Sequence, residues 1–492
     1  MASRFPPMTP WGNLAISTLV APPSTATRGV SVPALPSMNP QNSAYRTAAD
    51  RASRIRRAPT RQRILHAAVE ATAACGYPDL TVALLIEHAG ISRSTFYEHF
   101  PNRDQCFLAA LDSLGEDLIA HLETVEMSDS PTPGPLVEAL CAHVGDNPRA
   151  AKVLFSESLA AGPRSLDFRE RLQRRVAILI AAASDVGMVQ DEPGLTVLDD
   201  LIGGLFRLFA MRLRRDPAGD GVLCPNDLAA WVDSYVGAFA KASRTPLGEI
   251  TPQAVEPTEE FALEPLAAGR HRLTEAEVEM NQRLRICAAM VRLSHESGYA
   301  QVTVAQITVA ARVSRNAFYR HFQDKAEAAN QALELIFEQV IGACAGAFSS
   351  ASQWPERIWR TGQTFAGFFT SAPDYAHVGM VETHAVGEEM VELVYDRISA
   401  FALFLEEGYR WRPEAENLPR ITSEAVGATM YEIAFRALRE RRPPGWYAAL
   451  LPQFVFILLA PFMGPETALE FVQRKSGDES PHLRSSHGRE LP

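Results

Sequence analysis

Apolar residues recur every three or four positions over most of the chain, the period of helices that each bury one face. Within Thr60–Cys75, Ile64, Leu65, Ala68, Val69 and Thr72 form one such stripe; Thr60 is placed to cap its start and Gly76 to end it. Leu80–Ala89 predicts a second, short helix with Thr81 at its cap. Gly90-Ile91-Ser92 reads as a turn. Ser92 then opens a third helix, Arg93–Phe100, whose Phe96 and Phe100 share an inward face at i, i+4. Pro101-Asn102 breaks it, and a longer helix runs from about Arg103 towards Leu122. Three short helices, a glycine-bearing turn and a long fourth helix make a helix-turn-helix unit.

The helical period continues to about Arg244, interrupted by Pro- and Gly-bearing loops at Ser130–Pro135, Asp146–Pro148, Gly162–Pro163, Asp191–Gly194 and Asp216–Gly221. Leu198, Leu201, Ile202, Leu205, Leu208 and Phe209 give one wide apolar face, beside which Gly203 and Gly204 permit a close helix approach. Leu228–Ala242 gives another. Thr245–Gly269, bearing Pro and Glu, reads as a linker. Thr274 and Glu277 then have capping-box spacing at the head of a helix that ends at Gly298. Ala328–Gln473 is again helical and richer in aromatic residues, with Thr422–Arg439 and Trp446–Leu459 as its final pair of helices.

The chain contains its turn-helix stretch twice. Shifted by 222 residues, Gly298–Lys325 lies on Gly76–Arg103 without a gap, and 12 of 28 positions are identical, among them Thr81, Ser92, Arg93, Phe96, Tyr97, His99 and Phe100. A period this long is too great for a solenoid and means two fused copies of a domain-sized unit. The organisation expected is therefore an almost uncharged lead-in over 1–43, disordered or weakly structured, in which Met38 is an alternative start, then a helix-turn-helix over 44–105 and a helical domain over 106–245. A linker over 246–272 leads to a second helix-turn-helix over 273–327, a second helical domain over 328–475 and a polar tail over 476–492. The fold class is all-α.

Charge and composition narrow the function. The net charge of −11 rules out a general polycation, so any nucleic-acid contact must come from local patches. One such patch precedes the first unit: Arg46, Arg51, Arg54, Arg56, Arg57, Arg61 and Arg63 stand against Asp50 alone, a net +6 over Ala44–Arg63. It reads either as a solvated helix start or as an arm lying along phosphates. The second unit has no such arm, because Arg270, Arg272, Arg283 and Arg285 are balanced by Glu264, Glu275, Glu277 and Glu279. The six cysteines lie far apart, without a CxxC pair, and read as free thiols of a reducing compartment. The most apolar run, Phe454–Met463, is short of a membrane span, which needs roughly 20 residues. No phosphate loop, nucleophile elbow or metal-ligand spacing points to an enzyme, a cofactor or a metal. A cytoplasmic, non-enzymatic protein is expected.

The stretch Ala89–Leu111, AGISRSTFYEHFPNRDQCFLAAL, resembles the recognition region of TetR-type transcriptional regulators, with their A-G-V-S-x-x-T-x-Y-x-H-F pattern and following basic residue. The likeness covers about 50 residues in each copy. It implies two TetR-like units, each a helix-turn-helix bundle with a helical regulatory domain, and a dimer-type four-helix bundle from the last two helices of each half. It also implies a double-stranded DNA operator and a small-molecule effector, here an apolar one.

In such a unit the start of the second helix of the motif enters the major groove. Arg93 is then the base reader, since Arg pairs bidentately with guanine, and Ser94 and Thr95 follow it, Thr95 with a methyl for thymine. Tyr97, His99, Thr81, Ser92 and Arg103 are expected at phosphates or the helix start, although His99 reads equally well as a packed structural histidine. In the second copy the same roles fall to Thr303, Ser314, Arg315, Tyr319, His321 and Lys325. There Asn316 replaces Ser94, Ala317 replaces Thr95 and Arg320 replaces Glu98, and Asn can pair with adenine. Two half-sites that share one feature and differ beside it are expected, hence an imperfect palindrome read by an intramolecular pseudo-dimer. Gly90 is replaced by Arg312, so if that position needs φ > 0 the second turn is strained. This leaves open a second reading, a ligand- or partner-binding regulator in which only the first helix-turn-helix meets DNA.

Overall fold

The computed structural model describes residues 59–125, 132–183, 192–215, 225–233 and 274–479. The lead-in over 1–43, most of the basic arm, the 246–272 linker and the end of the tail lie outside them. Among the described residues there are helices and no strands. The first half consists of α1 (59–75), α2 (Val82–Ala89), α3 (Arg93–His99), α4 (Arg103–Glu123), α5 (Gly134–Asp146), α6 (Pro148–Phe155), α7 (Pro163–Ala182), α8 (Glu192–Arg215) and α9 (225–233). The second opens with α10 (Glu275–Ser297), α11 (Val304–Ala310), α12 (Arg315–His321) and α13 (Lys325–Ser349). It continues with α14 (Trp354–Ser371), α15 (Pro373–Met380), α16 (Thr383–Val386), α17 (Glu388–Ala402), α18 (Pro413–Glu416), α19 (Ile421–Arg439), α20 (Pro444–Ala449), α21 (Leu451–Met463) and α22 (Pro465–Glu479).

The repeat in sequence is a repeat in packing. Ile64, Leu85, Phe96, Phe100 and Leu111 are buried in the first helix-turn-helix, and Ile286, Ile307, Phe318, Phe322 and Leu333 take their places in the second. The Thr274–Glu277 capping box is formed: Thr274 Oγ1 accepts from the Glu277 amide at 3.3 Å, and the Thr274 amide donates to the Glu277 carboxylate at 2.7 Å. α13 is long and apolar enough, by length and composition, to cross a membrane. Here it is the helix that follows the second turn-helix, and Ala328, Ala329, Ala332, Leu333, Ile336, Val340 and Cys344 form its buried stripe.

The two halves meet chiefly where α8 packs on α19. Gly203 and Gly204 sit at the crossing, as their spacing on the apolar face suggested: a Cβ on Gly204 would lie 2.7 Å from the Thr429 Cα, and one on Gly203 would lie 2.7 Å from the Glu432 side chain. Around this seam Arg212 pairs with Glu424, Arg214 with Glu388 and Arg215 with Asp396, while Arg439 reaches back to Asp167 and Glu170. So α7 and α8 of one half face α17 and α19 of the other.

Two details differ from the sequence reading. The second of the expected final helices, Trp446–Leu459, is two helices, α20 and α21, because Pro452 lies in the first turn of α21, where its missing N–H and its ring end the preceding helix. α21 packs on α14, α19 and α22 within its own half. The polar tail begins later than Lys475, since α22 extends to Glu479 behind a buried stripe of Ala468, Phe471 and Val472.

Candidate nucleic-acid interface

Each reading helix is set by side-chain caps. Thr81 Oγ1 accepts from the Leu84 amide at 3.2 Å and Thr303 Oγ1 from the Gln306 amide at 3.3 Å. Ser92 Oγ accepts from the Thr95 amide at 3.1 Å, and Ser314 Oγ from the Ala317 amide at 3.0 Å. Each cap satisfies one amide that a helix start would otherwise leave without a partner. These four residues build the presentation of α3 and α12. The Ser92 hydroxyl also bridges to Ser94 and Thr95, each at 2.8 Å.

Arg93, Ser94, Tyr97 and Glu98 are exposed on α3, and Arg315, Asn316, Tyr319 and Arg320 are exposed on α12. Thr95 is half-buried and Ala317 is buried. The Arg93 guanidinium lies over the Tyr97 ring at 5.8 Å and that of Arg315 over Tyr319 at 5.6 Å. Neither arginine forms an ion pair among the described residues, so the charge of both is available to an incoming anion or base edge. The faces differ in sign beside the shared pair, Glu98 in one and Arg320 in the other.

The cations expected at the start of the fourth helices are already engaged. Arg103 donates to the Pro78 carbonyl at 3.2 Å and to that of Leu80, with its guanidinium 5.1 Å from the Tyr77 ring. Lys325 Nζ donates to the Tyr299 and Val302 carbonyls, each at 3.0 Å, and lies 4.3 Å from the Tyr299 ring. Both fasten the long helix to the loop before the motif. His321 Nε2 lies 3.2 Å from Gln282 Oε1. Burial, with Arg283 and Arg320 nearby and against the pull of Glu279, holds its imidazole below its ordinary pKa. His99 is half-buried and has a partner within the protein.

The turns carry the sharpest contrast between the copies. Gly90 is left-handed at φ 57°, and Arg312 holds the same conformation at φ 52°. The hydrogen bonds match as well: Ile91 N–H to Ile86 at 3.2 Å, and Val313 N–H to Thr308 at 3.0 Å. The turn is conserved between copies and the strain of a side chain falls on the second. In the first copy Arg63 caps the turn by donating to the Ala89 carbonyl at 2.6 Å and the Gly90 carbonyl at 3.2 Å. Its counterpart Arg285 has a buried Nε without a partner, and its pKa is lowered by burial and by the charge of Arg312.

Comparison with family models matches "Bacterial regulatory proteins, tetR family" at residues 64–110 and again at 286–331. The chain carries two TetR-type helix-turn-helix units in tandem. The matched stretches are the two helix-turn-helix scaffolds just described, which makes the chain a DNA-binding transcriptional regulator. Comparison with curated proteins gives no match.

The TetR-type units are tied to the helices behind them by paired struts that sequence reasoning missed. The Tyr77 amide donates to Glu157 Oε2 at 2.9 Å, and the Tyr299 amide donates to Glu382 Oε2 at 3.1 Å. Each follows a glycine with φ near 80°, Gly76 at 79° and Gly298 at 82°. The tyrosines repeat in sequence, but a partner some 80 residues away leaves no local pattern to read.

Behind the second unit is a cavity of about 110 Å³ lined by Phe337, Val340, Phe365, Phe369, Phe401, Met430 and Tyr431 among others. It lies in the aromatic-rich half, between α13, α14, α15, α17, α19 and α21. Among the described residues, no cluster of three or more His, Cys, Asp or Glu is placed to hold a metal ion.

Proposed function

We propose that this regulator is a ligand-responsive repressor whose two non-identical recognition helices, carried on one chain, read the halves of an imperfect palindrome in the cytoplasm. The observation that carries the reading is the shared geometry of α3 and α12, each presenting an exposed Arg over a Tyr from an identically capped helix. The α8–α19 seam supports an intramolecular pseudo-dimer that would set the readers about one DNA turn, roughly 34 Å, apart. Arg93 and Arg315 each take a guanine; Asn316 adds an adenine preference and Arg320 a phosphate contact that Glu98 would repel. Tyr97 and Tyr319 donate to flanking phosphates.

The effector enters the aromatic cavity, where Phe337 and Val340 belong to α13, the helix that begins at the second reader. Differential affinity for two positions of that helix would shift the population away from the DNA-competent state.

One observation favours the second reading, in which only the first unit contacts DNA: the strained Arg312 faces Arg285 where the first unit has Gly90 capped by Arg63. A gel shift with DNA selected from a random pool, using Arg93→Ala and Arg315→Ala variants and the mass of the complex, tests both. Loss with either variant and one chain per two-half-site element supports the pseudo-dimer. Loss with Arg93→Ala alone supports the single reader, and two chains per element overturns the intramolecular version.

A further inference from the structure

We infer that the cavity takes a small amphipathic carboxylate, an apolar body of about one aromatic ring whose anionic head pairs with Arg397; this rests on the cavity being the effector site. The lining is aromatic and aliphatic and includes no acidic residue. Of its three hydroxyl-bearing side chains, Thr361 and Tyr431 donate to the Arg357 carbonyl at 2.9 Å and the Met380 carbonyl at 3.0 Å, and Tyr375 also has a partner within the protein.

Arg397 is the exception. It lines the cavity as the one cation there, its Nε is buried, and it forms no hydrogen bond or ion pair among the described residues. Its neighbour Asp396, which could have neutralised it, points to the other half and pairs with Arg215 at 3.0 Å. A buried guanidinium nitrogen without an acceptor costs free energy that a carboxylate would recover, and the planar fork of donors matches a carboxylate in shape. A neutral hydrocarbon would leave it unmet. Size sets the body: an apolar cavity only somewhat larger holds one benzene ring.

The test is calorimetric titration of the full-length chain and its Arg397→Gln variant with benzoate and with benzyl alcohol, which share a ring and differ in the head. The expected result is benzoate binding about tenfold or more tighter than benzyl alcohol to the parent chain. In Arg397→Gln that preference should vanish while benzyl alcohol binds as before, which also shows the cavity intact. If benzyl alcohol binds as tightly as benzoate, or the preference survives in Arg397→Gln, the anionic head is refuted and the effector cavity stands. If neither probe binds, the cavity reading itself fails.

Discussion

Gly204 lies against Thr429 so closely that a β-carbon on the glycine would come within 2.7 Å of the threonine Cα. The neighbour is backbone, which cannot swing aside as a side-chain tip can. Gly204→Ala should therefore push α8 off α19 and destabilise the chain by about 1–3 kcal/mol, the range for overpacking a close contact. Gly427→Ala is the control, because its new methyl would meet the Ile398 carbonyl at an ordinary 3.5 Å. Denaturation midpoints of the two variants check this; equal shifts would show that the seam is not the tight contact described.

The same substitution logic has opposite signs at the two turns. Arg312→Gly should stabilise the second unit by about 1 kcal/mol, the relief of a left-handed residue less the flexibility glycine adds to the unfolded chain. It also removes the charge facing Arg285. Gly90→Arg should destabilise the first by a similar amount, about 1 kcal/mol, and crowd Arg63. Hydrogen exchange in α2–α3 and α11–α12 resolves the two units separately. If Arg312→Gly speeds exchange in α11–α12, the strain has been misassigned.

The repeat, the caps and the inward Phe pairs were legible in the sequence because each is local: one turn of helix brings Phe96 to Phe100 and three residues bring Ser92 to Thr95. Gly203 and Gly204 also declared a close approach, since two glycines beside an apolar face have few other uses. What they approach was not legible. Thr429 and Glu432 are more than 220 residues away, and no period connects them. Arg103 and Lys325 were expected at phosphates because a basic residue after the motif suits that role. The structure gives them the Leu80 and Val302 carbonyls instead, which sequence spacing could not reveal. The break at Pro452 was readable from proline chemistry, yet the continuous apolar run masked it.

Acid should loosen the second unit before the first. His377 is pushed down to about 4 by burial, then by His295 and Arg441, against a small opposing hydrogen bond at Leu438. Its Nε2 lies 3.9 Å from Glu382, the carboxylate that holds the Tyr299 amide. A folded pKa below the unfolded 6.5 means the unfolded state binds the proton first. The stabilising contribution is complete above 6.5 and is lost as the pH falls towards 4. The first strut, Tyr77 to Glu157, has no histidine in contact with it among the described residues. Exchange in α11–α12 should accelerate through this window while α2–α3 is unchanged, and His377→Gln should flatten the response. Equal acceleration in both units would refute the assignment.

The most exacting test of the seam is Glu432. Its carboxylate takes Arg169 at 2.6 Å and Arg207 at 3.0 and 2.8 Å, with Gln173 at 3.3 Å, while the Arg207 guanidinium lies between Tyr431 at 4.8 Å and Phe435 at 5.0 Å. Burial alone would raise the carboxyl pKa; Arg169 and Arg207 together hold it below the ordinary value. Both arginines come from the first half and the glutamate from the second. Glu432→Gln leaves two buried cations without a counter-charge, a loss of about 3–5 kcal/mol, whereas well-packed apolar replacement of all three partners should be near neutral. Because the folded pKa is depressed, the carboxylate's contribution is present above the ordinary 4.5 and is lost as the pH falls below it. Glu432→Gln should therefore lose stability at neutral pH and show a weaker further loss in acid than the parent chain. A variant as stable as the parent at pH 7 would mean that the cluster does not hold the halves together.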